Sequence, residues 1–202
     1  CAAMKAVISL EYLPSIHWFA LYLKHTEVYI EQHENFVKST GRNRCAIAGA
    51  NGKQLLSIPM LGGRDHHQPY TSVGISYKAD WQSNHWQSIV SAYGSTPYFE
   101  HYEFRLKPFY NKQYENLFDF NLQLLKVVLK LLKAEREILF TPSYAKTMEG
   151  LNDLRSVRKG EEPSLVPYYQ VFSDKNGFIP NLSIIDLLFH QGPAAKEYLM
   201  NV

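Results

Sequence analysis

Residues 6–30 read AVISLEYLPSIHWFALYLKHTEVYI, and this stretch decides the fold class. The runs 6–10 and 28–30 are short, apolar and partly β-branched, which is typical of strands buried on both faces. Between them, Pro14 ends the first run and Ser15 can cap a helix that follows. A strand, a helix and a second strand in so short a stretch predict a βαβ unit with a parallel strand pair.

A second pattern follows the βαβ unit. Residues 43–49 and 54–60 form two extended runs that are joined around Asn51-Gly52. An Asn-Gly pair supplies the positive φ angles that a type I′ turn requires. The sequence therefore predicts a β-hairpin at this place.

The rest of the chain alternates turn signals with helical patterns. We expect a strand at 72–76 and an edge strand at 168–172. Helices are predicted at 81–93, 97–110, 114–137 and 181–190. Residues 142–167 are predicted to form a long loop or arm with a short helix near Leu151. We interpret residues 1–202 as a single α/β domain with an N-terminal extension at residues 1–3. Its sheet is predicted to be mixed, with a parallel βαβ start and a β-hairpin, and several helices are C-terminal.

The composition argues against several classes of function. A chain of 202 residues with 46% hydrophobic residues can bury a sizeable core. A net charge of +2 gives no field that attracts nucleic acid, and no apolar run approaches the ~20 residues that span a bilayer. The only cysteines, Cys1 and Cys45, are too few for a disulfide framework and favour a cytoplasmic location. The 14 tyrosines favour a polar cleft or a contact between subunits of a homo-oligomer.

Ionisable side chains follow the predicted strands at their carboxyl ends, where open α/β sheets bind ligands. The residues at these ends are Glu11 and Tyr12, then Glu31 and His33, and finally Lys78 with His85. If the strands are neighbours, carboxylates and imidazoles converge, and such pairs serve in general acid–base catalysis. We therefore predict catalytic roles for Glu31, His33 and His85. We predict substrate contacts for Tyr12 and Lys78. The plainer alternative is that each residue is a solvated loop residue.

A group of cations follows the second strand. Lys38, Arg42 and Arg44 surround Asn43, and all four are predicted to bind substrate. Lysine carries a compact positive charge, and arginine can donate two parallel hydrogen bonds, so both suit phosphate or carboxylate groups. A nucleotide-linked sugar or an acyl thioester would satisfy them, and the alternative is a solvated basic loop. An RNA backbone would do so too, but the low net charge disfavours nucleic acid.

Cysteine and histidine chemistry has weaker support. Cys45 lies between Arg44 and Ala46, where a guanidinium could favour a thiolate, although a buried structural cysteine is the preferred interpretation. The Gly-rich loop 61–69 suits a lid, and its His66 and His67 could bind a metal with His33, His85 or Cys45. Because no His-Glu-x-x-His or Cys-x-x-Cys motif is present, we expect no metal and no cofactor.

The joint pattern of several motifs resembles the bacterial WbqC-like protein family. The matching segments are Tyr12-Leu13-Pro14, Trp18-Phe19, Phe36-x-Lys38, Asn43-Arg44, Leu55-Leu-Ser-Ile-Pro59, and Trp81-x-x-x-His85 followed by Ile89, Tyr93 and Pro97. The chain also departs from the family. Its places for an opening His-Gln-Pro hold Ile8, Ser9 and Leu10, and Cys45 stands where the family has a second asparagine.

The resemblance implies a role in bacterial surface-polysaccharide biosynthesis, of the O-antigen or capsule kind. Together with the acid–base and cationic groups, it leads us to expect a transferase. Such an enzyme would add an acyl or aminoacyl group, from a thioester or aminoacyl donor, to an amino-sugar or nucleotide-linked sugar. A non-catalytic binding or assembly module is the first alternative. A metal-dependent hydrolase or lyase is the second.

Overall fold

The computed structural model describes residues 4–62, 67–155 and 163–202. Its strands are β1 (Lys5–Ser9), β2 (Glu27–Glu31), β3 (Arg44–Gly49), β4 (Gly52–Ser57), β5 (Leu139–Phe140) and β6 (Asn152–Leu154). Its α-helices are α1 (Ile16–Lys24), α2 (Trp81–Tyr93), α3 (Phe99–Leu106), α4 (Leu117–Leu131), α5 (Ser173–Asn176), α6 (Ile184–Gln191) and α7 (Ala195–Met200). Short 3₁₀ turns occupy Tyr70–Ser72, Lys107–Tyr110 and Gly192–Ala194.

A parallel sheet of four strands, in the order β5-β2-β1-β6, carries the N-terminal βαβ unit. β1 and β2 pair in parallel from Lys5 opposite Glu27 to Ser9 opposite Glu31, with α1 as the crossover between them. Ser15 caps α1, because its hydroxyl accepts a hydrogen bond from the Trp18 amide. The predicted βαβ unit is confirmed.

The predicted hairpin is also confirmed, and it forms a sheet of its own. β3 and β4 pair antiparallel as far as Gly49 opposite Gly52, so Ala50 and Asn51 form the turn. Gly52 has a φ of 93°, but neither Ala50 nor Asn51 has a positive φ, so the turn is not the predicted type I′. The chain thus has an α/β fold with a parallel start, a hairpin and several C-terminal helices, as predicted. The parallel and antiparallel parts belong to two separate sheets.

The helices follow the predicted pattern with shorter limits. Asp80 caps α2 through the Ser83 amide, and α2 ends at the predicted Tyr93. The predicted helix 97–110 divides into α3 and a 3₁₀ turn, since Pro108 has no N–H for helix hydrogen bonding. α4 is shorter than 114–137. Its cap is Asn116, and the left-handed backbone of Lys133, with φ of 54°, follows its end.

Two predicted strands are wrong. Residues 72–76 form no strand: a 3₁₀ turn ends at Ser72, and only isolated bridges at Gly74 and Ile75 follow. The edge strand at 168–172 is absent because the Tyr168 and Gln170 side chains bind the Asp186 carboxylate while the backbone joins no ladder.

Two observed strands lie where the sequence predicted none. β5 lies beyond α4, and β6 lies inside the predicted arm at 142–167, in place of the short helix near Leu151. Residues 156–162 of that arm lie outside the described part. One cluster of buried apolar side chains draws on both sheets and on α1–α4, α6 and α7. The single-domain organisation stays a prediction.

Candidate functional site

The carboxyl edge of the parallel sheet carries a connected set of polar side chains. Glu31 ends β2 and is fully buried. It accepts hydrogen bonds from Thr141, which follows β5, and from Arg155 Nη1 at 3.2 Å, which follows β6. These contacts supply the hydrogen bonds and the opposite charge that a fully buried carboxylate needs.

The same network reaches β1 through Ser9. The Ser9 hydroxyl donates to Glu34 Oε2 at 3.0 Å, or alternatively to the Arg155 carbonyl at 3.1 Å. Arg42 binds Glu34 through two parallel hydrogen bonds of 2.9 Å, and its Nη2 also contacts the Ser9 hydroxyl at 3.2 Å. A bidentate pair of this kind fixes the loop between β2 and β3 against the sheet. We call this set the carboxyl-edge network: Ser9, Glu31, Glu34, Arg42, Thr141 and Arg155.

Glu11 lies beside this network, and the pKa of its carboxyl is raised. Burial raises its pKa from 4.5 to about 7; the nearby Arg42 guanidinium lowers the pKa and the Glu34 carboxylate raises it. The Glu11 carboxyl also packs against Gly41. A Cβ atom at that position would lie 2.5 Å from the carboxyl group, so only glycine fits without displacing it.

A cleft of about 720 Å³ opens beside the start of the hairpin. Its lining includes the apolar side chains of Phe36, Ile58, Met60 and Val73 and the polar residues Lys38, Ser39, Asn43 and Arg44. We call it the cationic cleft, because a lysine and an arginine line it. Its size and mixed lining are those of a small-molecule site.

Two polar atoms in this lining are buried without a partner among the described residues. They are Asn43 Oδ1 and Arg44 Nε. Asn43 Nδ2 is engaged, since it donates to the Ile58 carbonyl at 3.3 Å, so its amide presents an unused acceptor. Buried polar atoms are normally hydrogen-bonded, so each of these two atoms can take a further partner, from water or from a ligand.

A second, smaller cleft of about 100 Å³ shares Arg44 with the first, and Glu11 also lines it. We call it the small cleft. Leu13, with φ of 37°, and Asn181, with φ of 53°, line it as well, and Ser39, with φ of 62°, lines the cationic cleft. Left-handed backbone is strained for leucine in particular, and such strain gathers at functional sites.

His85 has both ring nitrogens engaged. Nε2 lies 3.1 Å from the Ser57 carbonyl and therefore carries the proton, so Nδ1 accepts from the Tyr12 hydroxyl at 3.0 Å. The Tyr110 hydroxyl lies 2.7 Å from that of Tyr12 and completes the chain. Burial lowers the pKa of His85 to about 4, so the ring is neutral at pH 7. Ser57 lines the cationic cleft, and His85 thus supports its wall from behind.

The structure brings only some of the predicted site residues together. Lys38, Asn43 and Arg44 line the cationic cleft, whereas Arg42 turns to the carboxyl-edge network. His33 and Lys78 are exposed, and neither lines the cationic or the small cleft. Tyr12 is buried and lines the small cleft.

The predicted catalytic set is dispersed. The hydrogen-bond partners of Glu31 lie in the carboxyl-edge network, and those of His85 lie behind the hairpin. Their expected convergence assumed a strand at 72–76 beside β1 and β2, and no such strand forms. The catalytic assignments of Glu31, His33 and His85 stay predictions.

Sequence reasoning missed Arg155, Thr141 and the pairing of Glu34 with Arg42. Arg155 and Thr141 follow strands too short to leave a periodic signal. Glu34 did have a signal, since it lies eight residues before an arginine in a charge-dense segment.

Neither thiol nor metal chemistry gains support at the described positions. Cys45 is buried, and burial raises its pKa, which disfavours the thiolate. Within 4–62, 67–155 and 163–202, no three His, Cys, Asp or Glu side chains are grouped as metal ligands. His66 lies outside these residues, so its place in a lid or metal site is not described. No helix of the described chain is both long and apolar enough to cross a bilayer.

Comparison with known proteins relates most of the chain to one family. The family model of the WbqC-like protein family matches residues 11–162. An uncharacterised protein of Mycobacterium tuberculosis is 26% identical over 223 aligned residues, which cover 96% of each chain. No solved structure matches the chain significantly.

Proposed function

Because this chain belongs to the WbqC-like protein family, we propose that it is a transferase of bacterial surface-polysaccharide biosynthesis. It binds a sugar or nucleotide-linked sugar in the cationic cleft. It then transfers an acyl or aminoacyl group, from a thioester or aminoacyl donor, to an amine of that sugar. The O-antigen or capsule setting and the cytoplasmic location come from the family resemblance and from the composition.

The observation that carries this proposal is the unused pair of polar atoms in the cationic cleft. Arg44 Nε is a buried cationic donor and Asn43 Oδ1 a buried acceptor, and neither has a partner among the described residues. Lys38 adds a second positive charge at the exposed part of the lining. Two cations suit a diphosphate or a carboxylate, and a neighbouring amide acceptor suits a sugar hydroxyl or an amide N–H.

The remaining predicted residues take supporting roles in this proposal. Arg42 fixes the loop that carries Lys38, through its pair with Glu34. His85 holds the hairpin wall through the Ser57 carbonyl, and Tyr12 holds His85. His33 keeps its predicted catalytic role in this proposal, and its imidazole is exposed on the loop between β2 and β3.

A binding or assembly module is the second candidate function. It is favoured by the engagement of His85 and Glu31 in buried contacts, which leaves both without the accessible proton-transfer position that catalysis needs. In that case the cationic cleft holds a sugar intermediate for another enzyme, and no product forms.

A thermal-shift screen of the full chain tests the proposal. The ligands are uridine diphosphate sugars, coenzyme A thioesters and aminoacyl donors, each with the wild type and with Lys38→Ala. A ligand at 100 times its Kd adds about 2.7 kcal/mol of stability, which raises Tm by about 5–10 °C for a chain of this size. We expect a shift with a nucleotide sugar that Lys38→Ala reduces by more than half.

Lys126→Ala is the matched control, since Lys126 is an exposed lysine on α4 outside the cationic cleft. It should respond to the ligands as the wild type does. A wild type that no ligand stabilises contradicts the proposal. Binding without any acylated sugar in mass spectra, when donor and acceptor are both present, favours the assembly module.

A further inference from the structure

The cationic cleft also has an apolar part, which phosphates and sugar hydroxyls do not use. Val37 is 50% exposed and Leu61 is 53% exposed, and both line the cleft. Phe36 and Met60 belong to the same lining and are only half-buried. Large apolar side chains that stay accessible inside one concave site favour a ligand with an apolar group.

Backbone pairing holds this apolar part in place. Beyond the end of β4, Met60 forms an isolated antiparallel bridge with Ile75. Phe36 is fixed in a similar way, since its amide donates to the Gln68 carbonyl at 2.8 Å and its ring packs against Tyr70 with centroids 5.9 Å apart. The apolar lining is therefore preformed, which lowers the conformational entropy that ligand binding costs.

The apolar part is continuous with the cationic end of the cleft through Ile58. The Ile58 amide donates to the Asn43 carbonyl at 2.8 Å, and Asn43 Nδ2 donates back to the Ile58 carbonyl at 3.3 Å. Arg44 directly follows Asn43, whereas Leu61 lies three residues beyond Ile58, a span of up to about 10 Å in extended chain. The complement of such a cleft is an anionic ligand that carries an aliphatic chain.

The charges of the lining select between the two kinds of donor in the proposed function. Among the described residues, no aspartate or glutamate lines the cationic cleft. The ammonium of an aminoacyl group would lie among apolar side chains and near the charges of Lys38 and Arg44, without a carboxylate to pair with. Asn43 Oδ1 offers one unused acceptor against the three donors of an ammonium. An uncharged acyl chain suits this lining better.

Building on the proposed function, we propose that the apolar part of the cationic cleft binds the acyl group of the donor, and that this group is an aliphatic chain longer than acetyl. The donor is an acyl thioester rather than an aminoacyl compound. In the transfer, the lone pair of the neutral sugar amine forms a bond to the thioester carbonyl carbon, and the thiolate leaves with the C–S electron pair. The thiolate then takes a proton from the nitrogen and departs as the thiol.

Titration calorimetry with a series of coenzyme A thioesters tests the acyl site, because the members differ in the acyl group alone. We expect the wild type to bind hexanoyl-coenzyme A about tenfold more tightly than acetyl-coenzyme A, since four further methylene groups become partly buried. β-Alanyl-coenzyme A has an ammonium where butanoyl-coenzyme A has its terminal methyl group. It should bind about tenfold more weakly than the butanoyl compound, because the ammonium loses hydration and gains no carboxylate.

Two variants place a charge in the apolar lining. Leu61→Asp and Val37→Asp change exposed positions, and each should reduce the preference for hexanoyl over acetyl to about threefold or less. Leu55→Asp is the matched control, since Leu55 is 59% exposed on β4 and lies outside the cleft lining. It should keep the full preference. Circular dichroism verifies that all three variants are folded.

The outcomes separate the acyl site from the proposed function. Equal affinities across the wild-type series, tighter binding of the β-alanyl compound, or an undiminished hexanoyl preference in both cleft variants overturns the acyl site. The proposed function still stands in those cases if nucleotide sugars stabilise the protein. A wild type that binds neither thioesters nor nucleotide sugars overturns both.

Discussion

At the scale of single residues, Glu11 couples folding to pH. Its pKa is raised from 4.5 to about 7, chiefly by burial, so the folded protein binds this proton more tightly than the unfolded chain. The corresponding stability is fully present below pH 4.5 and is lost as the pH rises through 7. At pH 8 the folded state contains a partly buried negative charge that opposes folding.

Glu11→Gln should therefore be more stable than the wild type at pH 8, by roughly 1–2 kcal/mol after allowance for solvent screening. At pH 4.5 the difference should be close to zero, because glutamine resembles the protonated carboxyl in shape and charge. Urea unfolding followed by circular dichroism at both pH values measures the two differences. A variant that is less stable than the wild type at pH 8 would mean that the carboxylate has a stabilising partner.

The residue scale also shows which parts of the site could be predicted. The cations that follow the second strand led us to predict a substrate site there, and Lys38, Asn43 and Arg44 do line one cleft. The same reasoning could not show that the side chains of Arg42 and Arg44 have different partners. Their side chains turn different ways, because Arg42 meets Glu34 while Arg44 begins β3 and follows its alternation.

At the scale of elements, α6 holds the irregular segment that follows residue 162. Asp186 on α6 is buried, and burial raises its pKa. Its carboxylate accepts hydrogen bonds from the Tyr168 hydroxyl and from Gln170 Nε2, the latter at 3.0 Å. His190, one turn later, accepts from the Val171 amide at 3.0 Å. One helix face thus replaces the strand pairing that this segment lacks.

Asp186→Ala should cost about 3 kcal/mol of folding free energy, because the Tyr168 hydroxyl and one of the two Gln170 Nε2–H groups lose their acceptor. Urea unfolding at pH 7 measures the loss. Limited proteolysis should also cut residues 163–179 faster than in the wild type. Asp174→Ala, an exposed aspartate in α5, is the control for both measurements. An equal loss in the control would show that α6 does not anchor the segment.

Elements with local signals were predictable, and elements made by distant partners were not. Asn51-Gly52 predicted the hairpin, and the helical patterns at 81–93 and 181–190 predicted α2 and α6, which Asp80 and Ser183 cap. β5 has two residues, and β6 is the polar run Asn152–Leu154. Both strands form because they pair with the open edges of β2 and β1. These partner strands lie more than 100 residues earlier in the chain, so the local sequence of β5 and β6 does not predict the pairing.

At the scale of the whole molecule, the cleft architecture depends on two separate sheets. The parallel sheet fixes the carboxyl-edge network and Glu11, and the hairpin supplies Arg44 and the Ser57 wall. Helix α2 connects them, since His85 touches both Tyr12 and Ser57. The sequence predicted the parallel pair and the hairpin as parts of one mixed sheet. It could not give their relative placement, which is set by packing of side chains from all parts of the chain.

The order of the parallel sheet has a consequence for synthesis of the protein. β1 and β2 form early in the chain, but their outer neighbours come from residues 139–154. A nascent chain that ends before residue 139 leaves both hydrogen-bonding edges of the β1–β2 pair open, and open edges invite pairing between chains. Such late closure also raises the contact order and slows folding. The period between the emergence of β2 and that of β6 is therefore when aggregation competes most strongly with folding.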